Sequence, residues 1–371
     1  MSDVILEARA LERRFITAKP LFGAPTVVHA VSGVDLAVEE GETFAIVGES
    51  GCGKSTLARV LTRLIPASGG VVRYAGRDLG GLKPAQIRAL RREVQFIFQD
   101  PFSSLNPRMT VGALIEEPLR IHKIGTRAER RARVAQLLER VGLPAQAASR
   151  YPHEFSGGQR QRIGIARALA SGPKVVVGDE PVSALDVSIQ AQVVNLLADL
   201  KREFGLTLVI IAHDLAVIRH MADRVAVMYL GQIVELAPAA DLFTAPRHPY
   251  TEALVSAIPL PDPGARRVRA RVAGELPNPT APPPGCRFHP RCPYVIDRCR
   301  TEPPTLSPRD ADGRQVACHR AGELALDGLG TATPIRSPAA RKRFELYRLA
   351  RAAQAQPDQP PAEGGPTQQG D

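Results

Sequence analysis

The sequence predicts an α/β fold with a parallel sheet, because short apolar runs alternate with helical patterns. Thr43–Val47 is a continuous apolar run of strand type, followed by a glycine-rich turn and a helix. Residues 175–177 and 206–212 form two more such runs, and a helical pattern at 190–204 lies between them. Strand, helix and strand at this spacing are typical of parallel βαβ units with helices on both faces of the sheet.

The helix after the first strand is predicted from an apolar stripe, and Pro66 is expected to end it. The stripe consists of Leu57, Val60, Leu61 and Leu64. A longer insert of mostly helical character, about residues 100–170, separates the first two strands.

Composition limits the class of protein. The chain has 371 residues, of which 44% are hydrophobic and 23% charged, as in globular proteins. No apolar run approaches the roughly 20 residues that span a bilayer, so the chain is not expected to be a channel itself. The N-terminus lacks the basic start and apolar core of a signal peptide, which favours a cytoplasmic location.

The net charge of +10 raises the possibility of a nucleic-acid partner. Residues 1–260 carry +5, residues 261–351 carry +8 and the last twenty carry −3, so the excess follows the predicted α/β body. There are 41 arginines and 7 lysines, and we attribute the charge to a general composition bias rather than to DNA binding. No nucleic-acid partner is expected.

A glycine-rich loop joins the first strand to the first helix. Residues 48–55, GESGCGKS, fit the P-loop pattern GxxxxGKS in the strand–loop–helix context that the pattern requires. Glycines let backbone N–H groups surround a phosphate, and the helix N-terminus adds positive partial charge. We therefore expect Lys54 to reach the β- and γ-phosphates of a nucleotide and Ser55 to ligate Mg²⁺. Cys52 is expected to have no redox role.

Two further segments favour phosphate chemistry. Asp179 and Glu180 follow the second strand at its carboxyl end, where open parallel sheets bind ligands. Asp179 suits Mg²⁺, and Glu180 suits polarising the attacking water. Ser156 and Gln159 have capping-box spacing at a helix start that also contains Gly157 and Gly158, which exposes N–H groups to an anion.

Together these segments make the chain resemble an ATP-binding-cassette (ABC) ATPase over residues 4–250. FSGGQ at 155–159 resembles the signature motif, with Phe155 where Leu is commoner, and residues 183–186 resemble the D-loop, with Val182 where Thr is common just before it. Gln99 resembles the Q-loop glutamine and His213 the switch histidine. The upstream aromatic that stacks on adenine is matched by Phe15, although Tyr is more usual and Phe22 competes.

The resemblance implies a P-loop NTPase fold: a RecA-like core, an antiparallel β subdomain and a helical subdomain at about 100–170. It also implies catalytic roles for Glu180, His213 and Gln99, and Mg²⁺ contacts from Ser55, Gln99 and Asp179. The residues implied to contact ATP are Phe15, Gly48, Glu49, Ser50, Gly51, Cys52, Gly53, Lys54, Ser55, Thr56, Gln99, Ser156, Gly157, Gly158, Gln159, Asp179 and Asp186. In this family two cassettes form a head-to-tail dimer, with each ATP between one protomer's P-loop and the other's signature.

Within the family the chain resembles the di- and oligopeptide importers, a subgroup that also contains nickel importers. The resemblance lies in VHAVSGVDLAVEEGE, HPYTEALVSAIP and GELPNPTAPPPGCRFHPRCP, and the wording PFSSLNPRMTV is most like the F-type subunit. It implies a D-type ATPase partner, two transmembrane permease subunits, an external solute-binding protein and a peripheral position on the cytoplasmic face of the bacterial membrane. A nickel or other small-solute importer and a soluble non-transport ABC ATPase are the alternatives.

Four cysteines cluster late in the chain: Cys286, Cys292, Cys299 and Cys318. In a cytosolic protein such a cluster indicates metal or redox chemistry before disulfides. The tight C-x2-C pairs usual for zinc are missing, and the importer C-terminal region is associated with an iron–sulfur cluster, so a 4Fe–4S cluster is expected ahead of zinc or no ligand. His289 and His319 are alternative ligands or merely neighbours.

The sequence divides into three parts. An ATP-binding domain is predicted at 1–255, and an importer-type C-terminal extension with the four cysteines at 256–330. Residues 331–371 are predicted to be a basic and then disordered tail. Its segment 341–351 interleaves arginine with apolar residues, which suits a membrane surface, although a solvated helix is the preferred interpretation.

Overall fold

The computed structural model describes residues 3–18, 25–100, 102–183, 185–258 and 274–329. The elements of the N-terminal half are β1 (Val4–Ala18), β2 (Thr26–Glu39), β3 (Thr43–Val47), α1 (Lys54–Leu61), β4 (Gly69–Tyr74), β5 (Arg77–Asp78), α2 (Pro84–Glu93), β6 (Val94–Ile97), α3 (Val111–Ile121), α4 (Arg127–Arg140) and α5 (Gly157–Leu169). Those that follow are β7 (Val175–Asp179), α6 (Val187–Phe204), β8 (Thr207–Ala212), α7 (Leu215–Met221), β9 (Arg224–Tyr229), β10 (Gln232–Pro238), α8 (Ala239–Thr244), α9 (Pro249–Ser256), α10 (Asp297–Thr301) and β11 (Gln315–Val316).

The central sheet has seven strands in the order β11-β10-β9-β3-β8-β7-β6. The five strands from β9 to β6 are parallel, and β10 and β11 add antiparallel partners at one edge. Every residue of β3, β7, β8 and β9 is buried, as expected for strands covered on both faces. The predicted α/β fold with a parallel sheet is therefore confirmed.

Two smaller units flank this sheet. A second, antiparallel sheet has the order β2-β1-β4-β5, and α1 packs between it and the central sheet with Leu57 and Leu61 fully buried. The helices α3, α4 and α5 pack on one another through Leu114, Leu137 and Ile163, which are also fully buried. The antiparallel β unit and the helical unit implied by the family resemblance are thus both present.

Helix α1 is shorter than the apolar stripe predicts. It ends at Leu61, and Arg63 has a left-handed φ of 57°, so the chain turns away before the fourth stripe position. Leu64 is consequently 38% exposed rather than part of the buried face. Pro66 therefore follows the end of the helix but does not cause it.

The described part of the C-terminal extension packs onto the central sheet. Strand β11 pairs with β10, and the Ala317 N–H donates to the Val234 carbonyl at 2.8 Å. Arg314 forms a buried ion pair with Glu235 of β10 at 3.3 Å. Because it adds a strand to the sheet and a buried ion pair, this part of the chain belongs to the same folded body. The predicted tail, the basic segment 341–351 and residues 259–273 lie outside the described residues.

His248 caps α9 in a buried site and gives stability an acid-sensitive component. Its Nδ1 accepts the Tyr250 N–H at 3.0 Å, and burial lowers the pKa of the imidazole to about 3 from an ordinary 6.5. The unfolded chain takes up this proton below pH 6.5, whereas the folded chain resists it until about pH 3. The stability is therefore fully present above pH 6.5 and is lost as the pH falls toward 3.

His248→Asn retains a capping side chain that does not titrate. Between about pH 7 and pH 5, we expect the free energy of unfolding to fall by about 2 kcal/mol less in this variant than in the wild type. Urea unfolding at the two pH values measures the difference. The control is His220→Asn, at an exposed histidine, which should keep the wild-type dependence. An unchanged pH dependence in His248→Asn would contradict the assignment.

Candidate functional site

The loop between β3 and α1 is shaped by close approach to its neighbours. Gly53 has a φ of 107°, and a Cβ there would lie 2.0 Å from the Ala30 carbonyl oxygen. A Cβ at Gly48 would lie 2.1 Å from the Met228 carbonyl oxygen. The glycines of the predicted P-loop are therefore required because backbone from β2 and β9 fills the space of a side chain.

Lys54 lies buried at the N-terminus of α1, with 4% of its surface exposed. Its ammonium donates to the carbonyl oxygens of Gly48 at 2.8 Å and Glu49 at 2.9 Å. These bonds hold the cation inside the loop that the backbone N–H groups line. The arrangement places positive charge where a bound polyphosphate would lie.

Ser55 and Asp179 meet across the cleft at the end of β7. The Ser55 hydroxyl donates to Asp179 Oδ1 at 2.7 Å, and among the described residues Asp179 Oδ2 makes no hydrogen bond, although Arg59 lies 3.8 Å away. Burial raises the pKa of Asp179, while Ser55 and Arg59 act in the opposite direction. A buried carboxylate oxygen without a hydrogen bond beside a hydroxyl is a donor set that Mg²⁺ prefers, so these residues fit the predicted cation.

Glu180 lies next to Asp179 and is contacted by the two other predicted catalytic residues. Gln99 Nε2 donates to Glu180 Oε2 at 2.8 Å, and His213 Nδ1 lies 3.4 Å from the same oxygen. Glu180 has a left-handed φ of 47°, an uncommon conformation for a residue other than glycine. The three side chains predicted separately from the sequence therefore converge at one point.

These groups border a cleft of about 320 Å³. Phe15 forms one wall, and Arg13 covers the ring from 4.5 Å. The lining residues are Phe15, Val28, His29, Ala30, Ser50, Gly51, Cys52, Gly53, Lys54, Ser55, Thr56, Gln99, Glu180, Leu230, Gly231 and Pro279. The competing aromatic Phe22 lies outside the described residues.

Six lining residues were not predicted from the sequence: Val28, His29, Ala30, Leu230, Gly231 and Pro279. Pro279 comes from the C-terminal extension, and its carbonyl accepts the His29 N–H at 3.1 Å. Two of the stretches that carry the importer resemblance contain Val28, His29, Ala30 and Pro279, but nothing in those stretches marks these residues as part of the cleft. The cleft thus takes part of its wall from a segment more than 200 residues beyond the P-loop.

The signature residues lie apart from this cleft. Ser156 Oγ accepts the Gln159 N–H at 3.4 Å and Gln159 Oε1 accepts the Ser156 N–H at 3.0 Å, so the predicted capping box is present. Ser156, Gly157, Gly158 and Gln159 are absent from the cleft lining, as is the exposed Asp186 at the start of α6. One chain therefore does not unite its P-loop and signature. Ala184 of the predicted D-loop lies outside the described residues.

The four late cysteines lie around one small pocket, which His289 and His319 also line. All four are free, and burial raises the pKa of the Cys286 and Cys292 thiols to about 11. His289 Nδ1 and His319 Nε2 contact the carbonyl oxygens of Cys286 and Glu302. Among the described residues, no three His, Cys, Asp or Glu side chains are arranged to hold a metal ion.

The predicted 4Fe–4S cluster is therefore not supported, and neither is zinc as its alternative. The spacing of the cysteines correctly predicted that they lie close together. Among the described residues, however, their sulfur atoms do not form a set of metal ligands. Cys52 is separate from this group and buried in the P-loop, where burial raises its pKa. In the part of the chain that the structure describes, no helix combines the length and apolarity needed to cross a bilayer.

Two family models match the chain. Residues 31–183 match the ABC transporter family, and residues 234–299 match the oligopeptide/dipeptide transporter C-terminal region. Among solved structures, the dimeric ATP-binding cassette MJ0796, described in a post-hydrolysis state with ADP and Pi, is similar with a TM-score of 0.57 and 28% identity. The similarity covers 63% of this chain and 99% of that one.

Curated relatives are similar over most of their length. A probable peptide ABC transporter ATP-binding protein of Sinorhizobium fredii is 53% identical, covering 86% of this chain and 90% of the relative. The di/tripeptide transport ATP-binding protein DppF of Pseudomonas aeruginosa is 52% identical, covering 87% of this chain and 99% of the relative. The oligopeptide transport ATP-binding protein OppF of Escherichia coli is 55% identical, covering 76% of this chain and 85% of the relative.

The cleft, the convergent Glu180, Gln99 and His213, and these similarities agree with one another. The E. coli relative is also consistent with the predicted F-type subunit. The chain therefore belongs to the ABC transporter ATPases, in the group that carries the oligopeptide/dipeptide transporter C-terminal region.

Proposed function

We propose that this chain is the ATP-hydrolysing subunit that powers the import of di- or oligopeptides through a membrane ABC transporter. The contact of Gln99 and His213 with Glu180 beside the P-loop carries the ATPase part of the proposal. The peptide cargo is supported by relatives that are 52–55% identical and bear peptide-transport names.

Different residues of the site bind the nucleotide, hold the metal ion and accept the proton of the attacking water. The P-loop N–H groups and Lys54 bind the phosphates of ATP, while Phe15 packs against the base. Ser55, Asp179 and Gln99 would hold Mg²⁺, which would neutralise negative charge on the phosphates of ATP. Glu180 accepts a proton from the attacking water, and His213 orients that carboxylate through the 3.4 Å contact.

The separation of signature and P-loop supports a head-to-tail dimer. Ser156, Gly157, Gly158 and Gln159, with Asp186, would complete the site of a second cassette, for which a D-type ATPase is proposed. Two permease subunits and an external solute-binding protein complete the assembly, and the chain lies peripherally on the cytoplasmic face of the cell membrane.

We assign nucleotide binding to residues 1–255, which include the helical subdomain at 100–170. Residues 256–330 form the C-terminal extension.

The composite site is tested with Ser156→Arg. The arginine adds bulk and charge to the signature without touching the chain's own cleft, so ATP binding should be retained, whereas nucleotide-dependent dimerisation and at least about 99% of turnover should be lost. Sedimentation velocity and phosphate release measure the two effects. Ser149→Arg, at an exposed serine on the same helical unit, is the matched control. Normal dimerisation in Ser156→Arg would count against the composite site.

The transport function is tested in proteoliposomes that contain the permeases, this chain and its ATPase partner. We expect uptake of a labelled tripeptide that requires the binding protein outside and ATP inside. Peptide uptake that continues with Glu180→Gln in both ATPase subunits, or ATP-driven uptake of Ni²⁺ without peptide uptake, would overturn the proposed cargo.

A further inference from the structure

The side chain of Glu49, the second residue of the P-loop, is held by an arginine from the C-terminal extension. Arg291 Nη1 donates to Glu49 Oε2 at 2.9 Å, and Arg291 Nη2 donates to Glu49 Oε1 at 3.1 Å. The Arg291 side chain is only 8% exposed and that of Glu49 30%. A bidentate pair of this kind fixes geometry more firmly than an exposed ion pair does.

Arg291 is itself held in place by buried aromatic residues. It ends a 3₁₀ turn, His289–Arg291, and its N–H donates to the Phe288 carbonyl at 3.0 Å. The Phe288 ring is fully enclosed and lies edge-on to Tyr229, with 5.2 Å between centroids. The Tyr229 hydroxyl oxygen in turn accepts a hydrogen bond from Arg291 Nη1 at 3.4 Å. The guanidinium therefore approaches the P-loop from a rigid support.

The same aromatic group also fixes the backbone of Glu49. Tyr250 packs against both Tyr229 and Phe288, with centroid distances of 4.7 Å and 5.5 Å. Its hydroxyl oxygen accepts the Glu49 N–H at 2.8 Å. Glu49 is thus held by its carboxylate and by its amide from one continuous cluster.

The position of Glu49 determines the position of Lys54. The Lys54 ammonium donates to the carbonyl oxygens of Gly48 and Glu49. Neither Glu49 nor Arg291 is among the residues that line the cleft. Arg291 also balances the Glu49 carboxylate, which would otherwise place an uncompensated negative charge near the phosphates.

We propose that Arg291 is a positioning residue of the nucleotide site, through which the C-terminal extension sets the affinity of the P-loop for MgATP. The inference rests on the proposed nucleotide-binding function. It gives the described part of the extension a role that does not depend on an iron or zinc site. Arg291 acts through Glu49, so its removal should weaken ATP binding more than it slows the chemical step.

The test compares full-length wild-type protein with Arg291→Met and Arg291→Lys. Arg291→Met keeps the packing of the stem but removes the charge and both donors, and we expect the Kd for MgATP to rise about tenfold. Lysine keeps the charge but cannot form the fork, so an intermediate value is expected. Binding is measured with a fluorescent ATP analogue in Mg²⁺, and kcat at saturating ATP should stay within about twofold.

Two further variants separate positioning from general damage. Arg298→Ala removes an exposed arginine of the same extension, whose pair with Glu302 lies within α10 and away from the P-loop, and it should bind MgATP as the wild type does. In Glu49→Gln with Arg291→Met, no uncompensated charge remains beside the P-loop. This double variant should recover most of the affinity lost in Arg291→Met alone.

The outcomes distinguish this inference from the function on which it rests. Wild-type affinity in both Arg291→Met and Arg291→Lys overturns the inference alone, as does a double variant that binds as weakly as Arg291→Met. Failure of the wild-type protein to bind MgATP overturns the nucleotide site and the inference with it. If Arg291→Met does not fold, the Kd for MgATP of Arg291→Lys is compared with that of the wild type at equal thermal stability. A raised Kd supports the inference, and a wild-type Kd overturns it.

Discussion

Replacing Glu180 by glutamine is expected to lower kcat for ATP hydrolysis at least about a hundredfold, because the amide cannot accept the proton of the attacking water. Glutamine preserves the shape of the side chain and still offers an oxygen to Gln99 Nε2, which lies 2.8 Å from the carboxylate in the wild type. ATP binding should therefore persist, since Lys54 and the P-loop remain intact. Phosphate release at saturating MgATP and a binding titration measure the two quantities.

The substitution should also accumulate an ATP-bound dimer, because closure no longer leads to hydrolysis. Glu203→Gln is the matched control, since Glu203 forms an ordinary exposed ion pair with Arg140 at 3.0 Å and lies away from the cleft. Its turnover should equal that of the wild type. Wild-type turnover in Glu180→Gln would refute the assignment of Glu180 as the general base.

The features that can be predicted from the sequence are those in which local sequence dictates local structure. A strand buried on both faces must be continuously apolar, so β3, β7 and β8 can be recognised from the sequence and their carboxyl ends located. Asp179 is the last residue of β7, and Glu180 and His213 directly follow β7 and β8. Parallel pairing then brings them to one edge of the sheet without further information.

The parts that were missed depend on contacts between distant segments. Glu49 and Arg291 are 242 positions apart, and neither residue type signals the other. Pro279 reaches the cleft only because residues 274–329 fold back onto the sheet. The cysteine spacing predicted proximity, but among the described residues no three His, Cys, Asp or Glu side chains are arranged to hold a metal ion.

Replacing Gly53 by alanine is expected to weaken MgATP binding at least about a hundredfold, the largest loss that we predict for a single methyl group. The Cβ would lie 2.0 Å from the Ala30 carbonyl oxygen, so β2 or the P-loop must move. Both line the nucleotide cleft, and either movement displaces the N–H groups that surround the phosphates. The left-handed φ of 107° adds backbone strain of about 1–3 kcal/mol.

Gly51→Ala separates these two causes. Gly51 also has a left-handed φ, 81°, but among the described residues a Cβ there would meet only Leu276 Cδ2 at 3.9 Å, an ordinary contact. It should therefore show the strain without the collision, with a smaller loss of stability in urea and of MgATP affinity than Gly53→Ala. Equal losses in the two variants would mean that backbone conformation alone requires glycine at 53. A much larger loss in Gly53→Ala would show that the close approach of β2 shapes the phosphate site.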